Sequence, residues 1–176
     1  MNDKPIVGLI GLGTMGGAIA RGLLTSFEPS QLLGYDRRSD HASRLGVLAV
    51  SSAGELCHRS DVIIVAVKPQ QIPDLIVEIS PIGDKLLLSI AAGVPIDRLK
   101  AFGCTRIIRA MPNLAALAKA SLTGWIASPA ATASDRSIAQ TIFAAIGTVL
   151  EFTTESMLDA LTAVAGSGTG YFMAVD

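Results

Sequence analysis

The sequence is poor in charge and has no block of like charges. Lys, Arg, Asp and Glu together make up 16% of its 176 residues, and the formal net charge is -1 at pH 7. Proteins that bind nucleic acid or an anionic membrane usually carry a concentrated basic patch, so neither kind of partner is expected here. An anionic ligand must instead be held by groups close to it.

Cysteine and histidine are also scarce, with two of each. Cys57 and Cys104 form no CxxC pair, so neither a disulfide scaffold nor a metal site is predicted, and the reducing cytoplasm is the expected compartment. No apolar run reaches the roughly 18 residues needed to cross a bilayer. His41 and His58 flank predicted surface turns and are not predicted to carry protons in catalysis.

Half of the residues are apolar and 17 are glycine, a composition typical of α/β proteins whose sheet is buried on both faces. Apolar runs alternate with amphipathic stretches, which is the pattern of βαβ units. Six runs are predicted to be buried strands: Ile6–Ile10, Leu32–Tyr35, Val47–Val50, Val62–Val67, Leu86–Ala91 and Arg106–Met111. Two later strands are predicted at Leu122–Ala127 and Thr148–Phe152. The predicted fold is a Rossmann-type, doubly wound and mainly parallel sheet.

Helices are predicted at Thr14–Leu24, Ile72–Ile79 and Ser134–Ile146, with Ser134 as the N-cap of the last. From Glu155 onwards the pattern changes to helix alone. We therefore expect a dinucleotide-binding domain over residues 1–154 and the beginning of an all-α domain over residues 155–176.

A glycine motif follows the first predicted strand directly and precedes an amphipathic helix. Gly11, Gly13 and Gly16 give the spacing G-x-G-x-x-G in the segment Gly11-Leu12-Gly13-Thr14-Met15-Gly16. In this context the first glycine permits a tight turn, the second lets the backbone approach a pyrophosphate, and the third lets helix and strand pack closely. All six residues are therefore candidates for binding a dinucleotide at a helix N-terminus.

The second predicted strand ends in residues that bear on the choice of cofactor. Asp36 lies twenty residues after Gly16, where a carboxylate can accept hydrogen bonds from the hydroxyls of the adenine ribose of NAD. Arg37 and Arg38 follow at once, and guanidinium groups can hold the 2′-phosphate of NADP. The sequence leaves NAD and NADP as open alternatives.

Four further segments carry a family resemblance. They are Ala66–Pro69 (AVKP), Ser89–Val94 (SIAAGV), Ile107–Asn113 (IIRAMPN) and Ala165–Tyr171 (AGSGTGY). Together with the glycine motif, they resemble pyrroline-5-carboxylate reductase over essentially the whole chain. The resemblance implies NAD(P)H-dependent reduction of the cyclic imine 1-pyrroline-5-carboxylate to L-proline in proline biosynthesis. It also implies a homodimer or higher homo-oligomer of the full-length protein.

The resemblance assigns roles to particular residues. Lys68, Asn113 and Ser167 are the candidates for contacting the substrate and the nicotinamide. Ala66, Val67, Lys68 and Ala91 are candidates for contacting the cofactor. Lys68 could instead be a solvated lysine, Asn113 could cap the next helix, and the segment around Ser167 could be a turn between helices.

The chain departs from the family pattern in places that bear on the substrate. Leu114 and Ala115 stand where the family has Thr-Pro, and Thr169 and Gly170 stand where it has Pro-Ala. The family also continues with further helices that complete its site, so this chain is expected to bind dinucleotide but to turn over slowly by itself. Two alternatives stay open: a dinucleotide-binding module without catalysis, and a related NADP-linked oxidoreductase of the β-hydroxyacid dehydrogenase type.

Overall fold

The structure is a computed structural model that describes residues 4–38 and 40–161. It contains an eight-stranded sheet in the order β3-β2-β1-β4-β5-β6-β7-β8. The strands are β1 (Val7–Ile10), β2 (Leu32–Tyr35), β3 (Leu48–Ala49), β4 (Val62–Val65), β5 (Leu86–Ser89), β6 (Ile107–Met111), β7 (Ser121–Ala127) and β8 (Gly147–Glu151). The α-helices are α1 (Thr14–Leu23), α2 (His41–Leu45), α3 (Ala53–Arg59), α4 (Ile72–Ile79), α5 (Ile96–Leu99) and α6 (Ala133–Ala144).

Strand β1 lies beside both β2 and β4, and Val7 is in register with Leu32 on one side and Val62 on the other. All strand pairs are parallel except β6 with β7. The chain leaves β1 towards β2 and later returns to β4, so the strand order reverses beside β1. The carboxyl ends of strands at such a reversal are where open α/β sheets bind ligands. The predicted fold class is confirmed.

Helices cover both faces of the sheet, as a right-handed crossover in either direction requires. Helices α1 and α6 pack on one face, where Ile19 and Phe143 are fully buried. Helices α3, α4 and α5 pack on the other, through side chains such as Leu56 and Leu99. Because β4 is buried along its whole length, its sequence is a continuous apolar run and does not alternate.

Two predictions about single elements are wrong. The run Val47–Val50 is not a buried strand: β3 has only two residues, both exposed, because it is the edge of the sheet. Ser134 is not the N-cap of α6. Thr132 caps that helix, since its hydroxyl accepts a hydrogen bond from the Asp135 backbone N–H at 3.1 Å while the Asp135 carboxylate accepts one from the Thr132 N–H at 2.8 Å. This reciprocal pair is a capping box, which the sequence T-A-S-D encodes.

Residues 155–161 are helical and pack against the sheet. Leu158 is fully buried, and Gly124 in β7 provides the space, because a Cβ on it would lie 2.5 Å from Cδ2 of Leu161. The predicted boundary at Glu155 stays a prediction, since residues 162–176 lie outside the described part of the chain. Within the described ranges, no helix combines the length and apolar character needed to cross a membrane.

Candidate cofactor site

The turn after β1 brings the backbone of three strand ends together. Gly11 has φ +90°, a conformation that a residue with a side chain rarely adopts. Its N–H donates to the Tyr35 carbonyl at 2.9 Å, and a Cβ on Gly11 would lie 2.8 Å from the carbonyl oxygen of Ala66. Glycine is therefore required here by both conformation and space.

Gly13 and Gly16 differ from Gly11 and from each other. Gly16 is buried in α1, and a Cβ there would lie 2.0 Å from the carbonyl oxygen of Gly11, so only glycine lets the helix lie this close to the turn. Gly13 has φ -67°, which any residue can adopt, and a Cβ on it would meet nothing within 4 Å. The structure itself thus does not require glycine at position 13. The open space above Gly13 is where a ligand can approach the backbone.

Helix α1 begins at this open space. Gly13 is its N-cap, without a side-chain hydrogen bond, and its first turn contains no acidic residue. The first backbone N–H groups of a helix have no partner inside the helix, and the helix dipole favours an anion there. The N-terminus of α1 therefore offers donors to a phosphate without competition from a carboxylate.

The Asp36 carboxylate, at the end of β2, fixes the shape of this region. One oxygen accepts the N–H of Leu12 at 2.7 Å and the other accepts the N–H of Arg38 at 2.9 Å. Burial raises the pKa of Asp36, but the two backbone hydrogen bonds and the charges of His41 and Arg38 outweigh it, so the net pKa is lowered from 3.8. Asp36 is thus held as an anion that ties the glycine turn to the end of β2.

Basic groups surround Asp36. Arg38 Nε lies 3.6 Å from one carboxylate oxygen, and its side chain is 68% exposed. Arg37 is also exposed. His41, the first residue of α2, lies with Nδ1 3.7 Å from the other oxygen of Asp36, which is too far for a hydrogen bond. His41 is partly buried beside Asp36, directly after the turn residue Asp40.

These strand ends border a cavity of about 310 Å³. Eight of the predicted site residues line it: Gly11, Gly13, Asp36, Arg37, Arg38, Ala66, Val67 and Lys68. Sequence reasoning missed five others: Ile10, Tyr35, Gln71, Leu75 and Glu78. Tyr35 ends β2. Gln71, Leu75 and Glu78 are spaced by four and three residues at the start of the helix after Lys68, and this spacing places them on one helical face and could have identified them.

The other predicted cofactor residues do not line this cavity. Leu12 is buried in the core, and only its N–H reaches the site, through Asp36. Ala91 is buried beyond β5, where its N–H donates to the hydroxyl of Ser89 at 3.3 Å. Thr14 is exposed and Met15 half-buried in the first turn of α1, so their backbone is what can face a ligand at its N-terminus.

Lys68 lies where β4 has ended, at the carboxyl edge of the sheet. Its side chain is exposed, and its backbone N–H donates to Oε1 of Gln71 at 3.1 Å. Pro69 begins the 3-10 segment Pro69–Gln71, which leads directly into α4. The Lys68 ammonium is therefore available at the edge of the cavity.

Asn113 follows β6 at the same edge of the sheet. It is the N-cap of the 3-10 segment Leu114–Ala118, but its side chain makes no capping hydrogen bond. The backbone N–H of Asn113 donates to the Ser121 hydroxyl at 3.2 Å. Its Oδ1 is buried without a hydrogen-bond partner among the described residues. Buried polar atoms are rarely left unpaired, so this oxygen lacks the partner that such an atom usually has.

Arg109 in β6 makes contacts that sequence reasoning did not foresee. Its guanidinium is almost fully buried and pairs with Glu155 at 2.8 Å and Asp159 at 2.6 Å. The Glu155 carboxylate also accepts the backbone N–H of Ile96 at 3.1 Å. Arg109 thus ties helical residues 155–161 to β6, and Glu155 ties them to α5. In the described ranges no three His, Cys, Asp or Glu residues cluster as a metal site would need.

Residues 6–93 match the family described as "NADP oxidoreductase coenzyme F420-dependent". The chain is also similar to pyrroline-5-carboxylate reductases. It is 37% identical to that of Escherichia coli K12 over 97% of this chain and 67% of the relative. It is 32% identical to that of Methanosarcina acetivorans over 96% of this chain and 66% of the relative.

The chain is also similar to a solved structure of a pyrroline carboxylate reductase. The Plasmodium falciparum pyrroline carboxylate reductase, determined with NADP bound, superposes with a TM-score of 0.87 at 27% identity over 97% of this chain. This chain spans 65% of that protein's length and 66% of the Methanosarcina acetivorans relative. The matched part therefore includes the whole sheet described above and leaves about a third of each relative unmatched.

Proposed function

Because the chain belongs to the pyrroline-5-carboxylate reductase family, we propose that it binds NADPH at the cavity around the glycine turn and that the protein reduces 1-pyrroline-5-carboxylate to L-proline. The observation that carries the cofactor part is the open space above Gly13, at the N-terminus of a helix with no acidic first turn. A dinucleotide pyrophosphate needs such a cradle of backbone donors. The Plasmodium falciparum relative, determined with NADP bound, supports the same cofactor.

The residues at the end of β2 favour NADPH over NADH. Asp36 accepts the backbone N–H of Leu12 on one oxygen and that of Arg38 on the other, so it holds the turn. Arg37 and Arg38 are exposed beside it and provide the positive charge that a 2′-phosphate needs. The two arginines bind the phosphate, and Asp36 positions the backbone that carries them.

The bound nicotinamide supplies the hydride, so the protein's part is to bind, to orient and to exclude water. Lys68 lies at the cavity edge and Asn113 has an unpaired Oδ1, which suits them to contacting the nicotinamide ribose, the carboxamide or the substrate. Ala91 lies between them at the end of β5. Ser167, assigned by resemblance to the substrate carboxylate, lies outside the described residues. Since a protonated imine already accepts hydride well, no enzyme acid is required.

We also propose the context in which the protein acts. A domain division after residue 154 follows from the change to a helical pattern at Glu155, and a homodimer or higher homo-oligomer of the full-length protein follows the family resemblance. We propose a cytoplasmic location from the cysteine usage. The free, buried thiols of Cys57 and Cys104 support a reducing compartment.

The test is an assay of NADPH oxidation with 1-pyrroline-5-carboxylate, followed at the nicotinamide absorbance with proline measured as product. NADH and a Gly13→Val variant run in parallel, and calorimetry measures binding of each cofactor. Stoichiometric formation of proline supports the reductase. Tight NADPH binding without turnover by the full-length protein favours the binding module instead, whereas oxidation of a 3-hydroxy acid with NADP, without imine reduction, favours the β-hydroxyacid dehydrogenase type. Failure to bind either dinucleotide contradicts the cofactor assignment itself.

A further inference from the structure

One wall of the cofactor cavity is a helical face that the glycine motif does not involve. Gln71, Leu75 and Glu78 all line the cavity, and Gln71 is the N-cap of α4. Residues spaced by four and three positions lie on the same side of a helix. Seven residues of helix extend about 10 Å, and α4 connects the parallel strands β4 and β5, so this wall runs back from the carboxyl edge along the face of the sheet.

The opposite wall comes from the end of β2. Tyr35 and Arg37 line it, and the buried side chain of Leu75 faces the same space from α4. In a dinucleotide-binding fold the adenine ribose lies at the end of the second strand, so the base attached to it extends into this space. An aromatic ring, a guanidinium and an aliphatic side chain are the groups on which a flat purine stacks.

Two carboxylates line a cavity that must accept a cofactor with several negative charges. Asp36 is engaged by the backbone of Leu12 and Arg38. The Glu78 side chain lines the cavity, and its carboxylate makes no hydrogen bond or ion pair with the other residues that the structure describes. A carboxylate in such a place weakens the binding of anions through repulsion, unless a donor on the ligand satisfies it. The adenine ring presents one such donor group, the 6-amino group.

We propose that Glu78 accepts a hydrogen bond from the 6-amino group of the adenine, and that it thereby selects adenine dinucleotides over dinucleotides of 6-oxopurines. This inference rests on the proposed binding of NADPH at the cavity. A 6-oxopurine presents a carbonyl oxygen at the same position, which a carboxylate can only repel because both groups are acceptors. Gln71 is occupied differently, since its Oε1 accepts the N–H of Lys68.

The test compares NADPH with its hypoxanthine analogue, which has a carbonyl oxygen in place of the 6-amino group and carries a proton on N1. Affinities are measured by titration of the reduced nicotinamide fluorescence for the wild type, Glu78→Gln and Glu78→Ala. A hydrogen bond to a charged but exposed acceptor predicts that the wild type binds NADPH about tenfold more tightly than the analogue. Glu78→Gln should bring that ratio close to one, because an amide can accept from an amino group and donate to a carbonyl. Glu78→Ala should also remove the preference.

Asp74→Asn is the matched control. Asp74 is an exposed carboxylate one turn earlier on α4 and does not line the cavity, so its removal changes the charge of the helix without touching the base. Its ratio should stay at the wild-type value. A wild-type ratio near one, or an equal change for both cofactors in Glu78→Gln, overturns the role of Glu78 while leaving NADPH binding intact. Absence of binding by the wild type to either cofactor overturns the proposed function as well.

Discussion

The two halves of the carboxyl edge of the sheet are built in different ways. Around β1, β2 and β4 the candidate groups are mostly backbone N–H groups and residues directly after strands, held by Gly11, Gly16 and Asp36. Around β6 the candidate group is one side chain, Asn113, and the neighbouring helical residues 155–161 are held by the buried Arg109. Backbone donors need only the right turn, whereas side-chain sites need partners from distant parts of the chain. NADPH affinity should therefore be lost on substitution of a glycine near β1, whereas the stability of the fold near β6 should fall on substitution of a charged residue.

The largest effect is expected within the glycine motif. Gly13→Val should lower NADPH affinity at least about 100-fold, because the valine side chain would fill the path of the pyrophosphate. The fold should survive, since Gly13 has an ordinary φ and open space around it. Calorimetric titration with NADPH and a thermal melt of the same sample measure both quantities.

Gly16→Val is the matched control for that substitution. Its Cβ would lie 2.0 Å from the carbonyl oxygen of Gly11, so overpacking should destabilise the fold by several kcal/mol or prevent folding. Equal melting temperatures for the two variants would show that the glycines do not have the separate roles described here.

The second effect concerns the β6 side. The double variant Glu155→Ala/Asp159→Ala leaves the guanidinium of Arg109 buried and unpaired, which should lower the free energy of unfolding by about 3 kcal/mol. Arg109→Met removes the buried charge, so no buried ion is left without a partner. Its loss of unfolding free energy should therefore be smaller than that of the double variant. Urea denaturation measures both. A larger loss in Arg109→Met than in the double variant would contradict this account, as would a loss of NADPH affinity beyond about twofold in a folded variant.

A smaller effect is expected at Asp36, on the cofactor side. Asp36→Asn replaces one acceptor by an N–H2 group that faces a backbone N–H, which should cost about 1–2 kcal/mol of stability. NADH affinity should fall more than NADPH affinity, because NADPH also loses a repulsion between its 2′-phosphate and the carboxylate. Titration of both cofactors into the variant provides the check. An equal loss of affinity for NADH and NADPH would show that Asp36 does not lie in the ribose pocket.

The smallest effect is the pH dependence of that stability. The pKa of Asp36 is lowered in the folded state from 3.8, so its contribution is fully present above that value and is lost as the pH falls through the folded-state pKa. The difference in unfolding free energy between the wild type and Asp36→Asn should therefore be constant from pH 5 to 7 and shrink below about pH 4. A difference that grows towards acid pH would give the opposite sign and would contradict the lowered pKa.

The same contrast explains what could be predicted from sequence. The strand order and the glycine turn follow from apolar runs and from glycine spacing, both of which are local patterns. The prediction of a buried strand at β3 is wrong because an apolar run does not show whether a strand has neighbours on both sides or lies at the edge of the sheet. Glu78 could have been found from its helical spacing to Gln71 and Leu75. The contacts of Arg109 and the unpaired oxygen of Asn113 depend on residues far apart in the chain, for which the sequence contains no local signal.

The most direct test of the central claim is hydrogen–deuterium exchange of the chain with and without saturating NADPH. Backbone amides that bind or are covered by the cofactor should exchange more slowly, because their opening then requires release of the ligand. We expect slower exchange in residues 11–16, 35–38 and 66–78, the three segments that form the glycine turn and the cavity walls. Unchanged exchange in these three segments at saturating NADPH, or slower exchange only elsewhere, would contradict the assignment of the cofactor site.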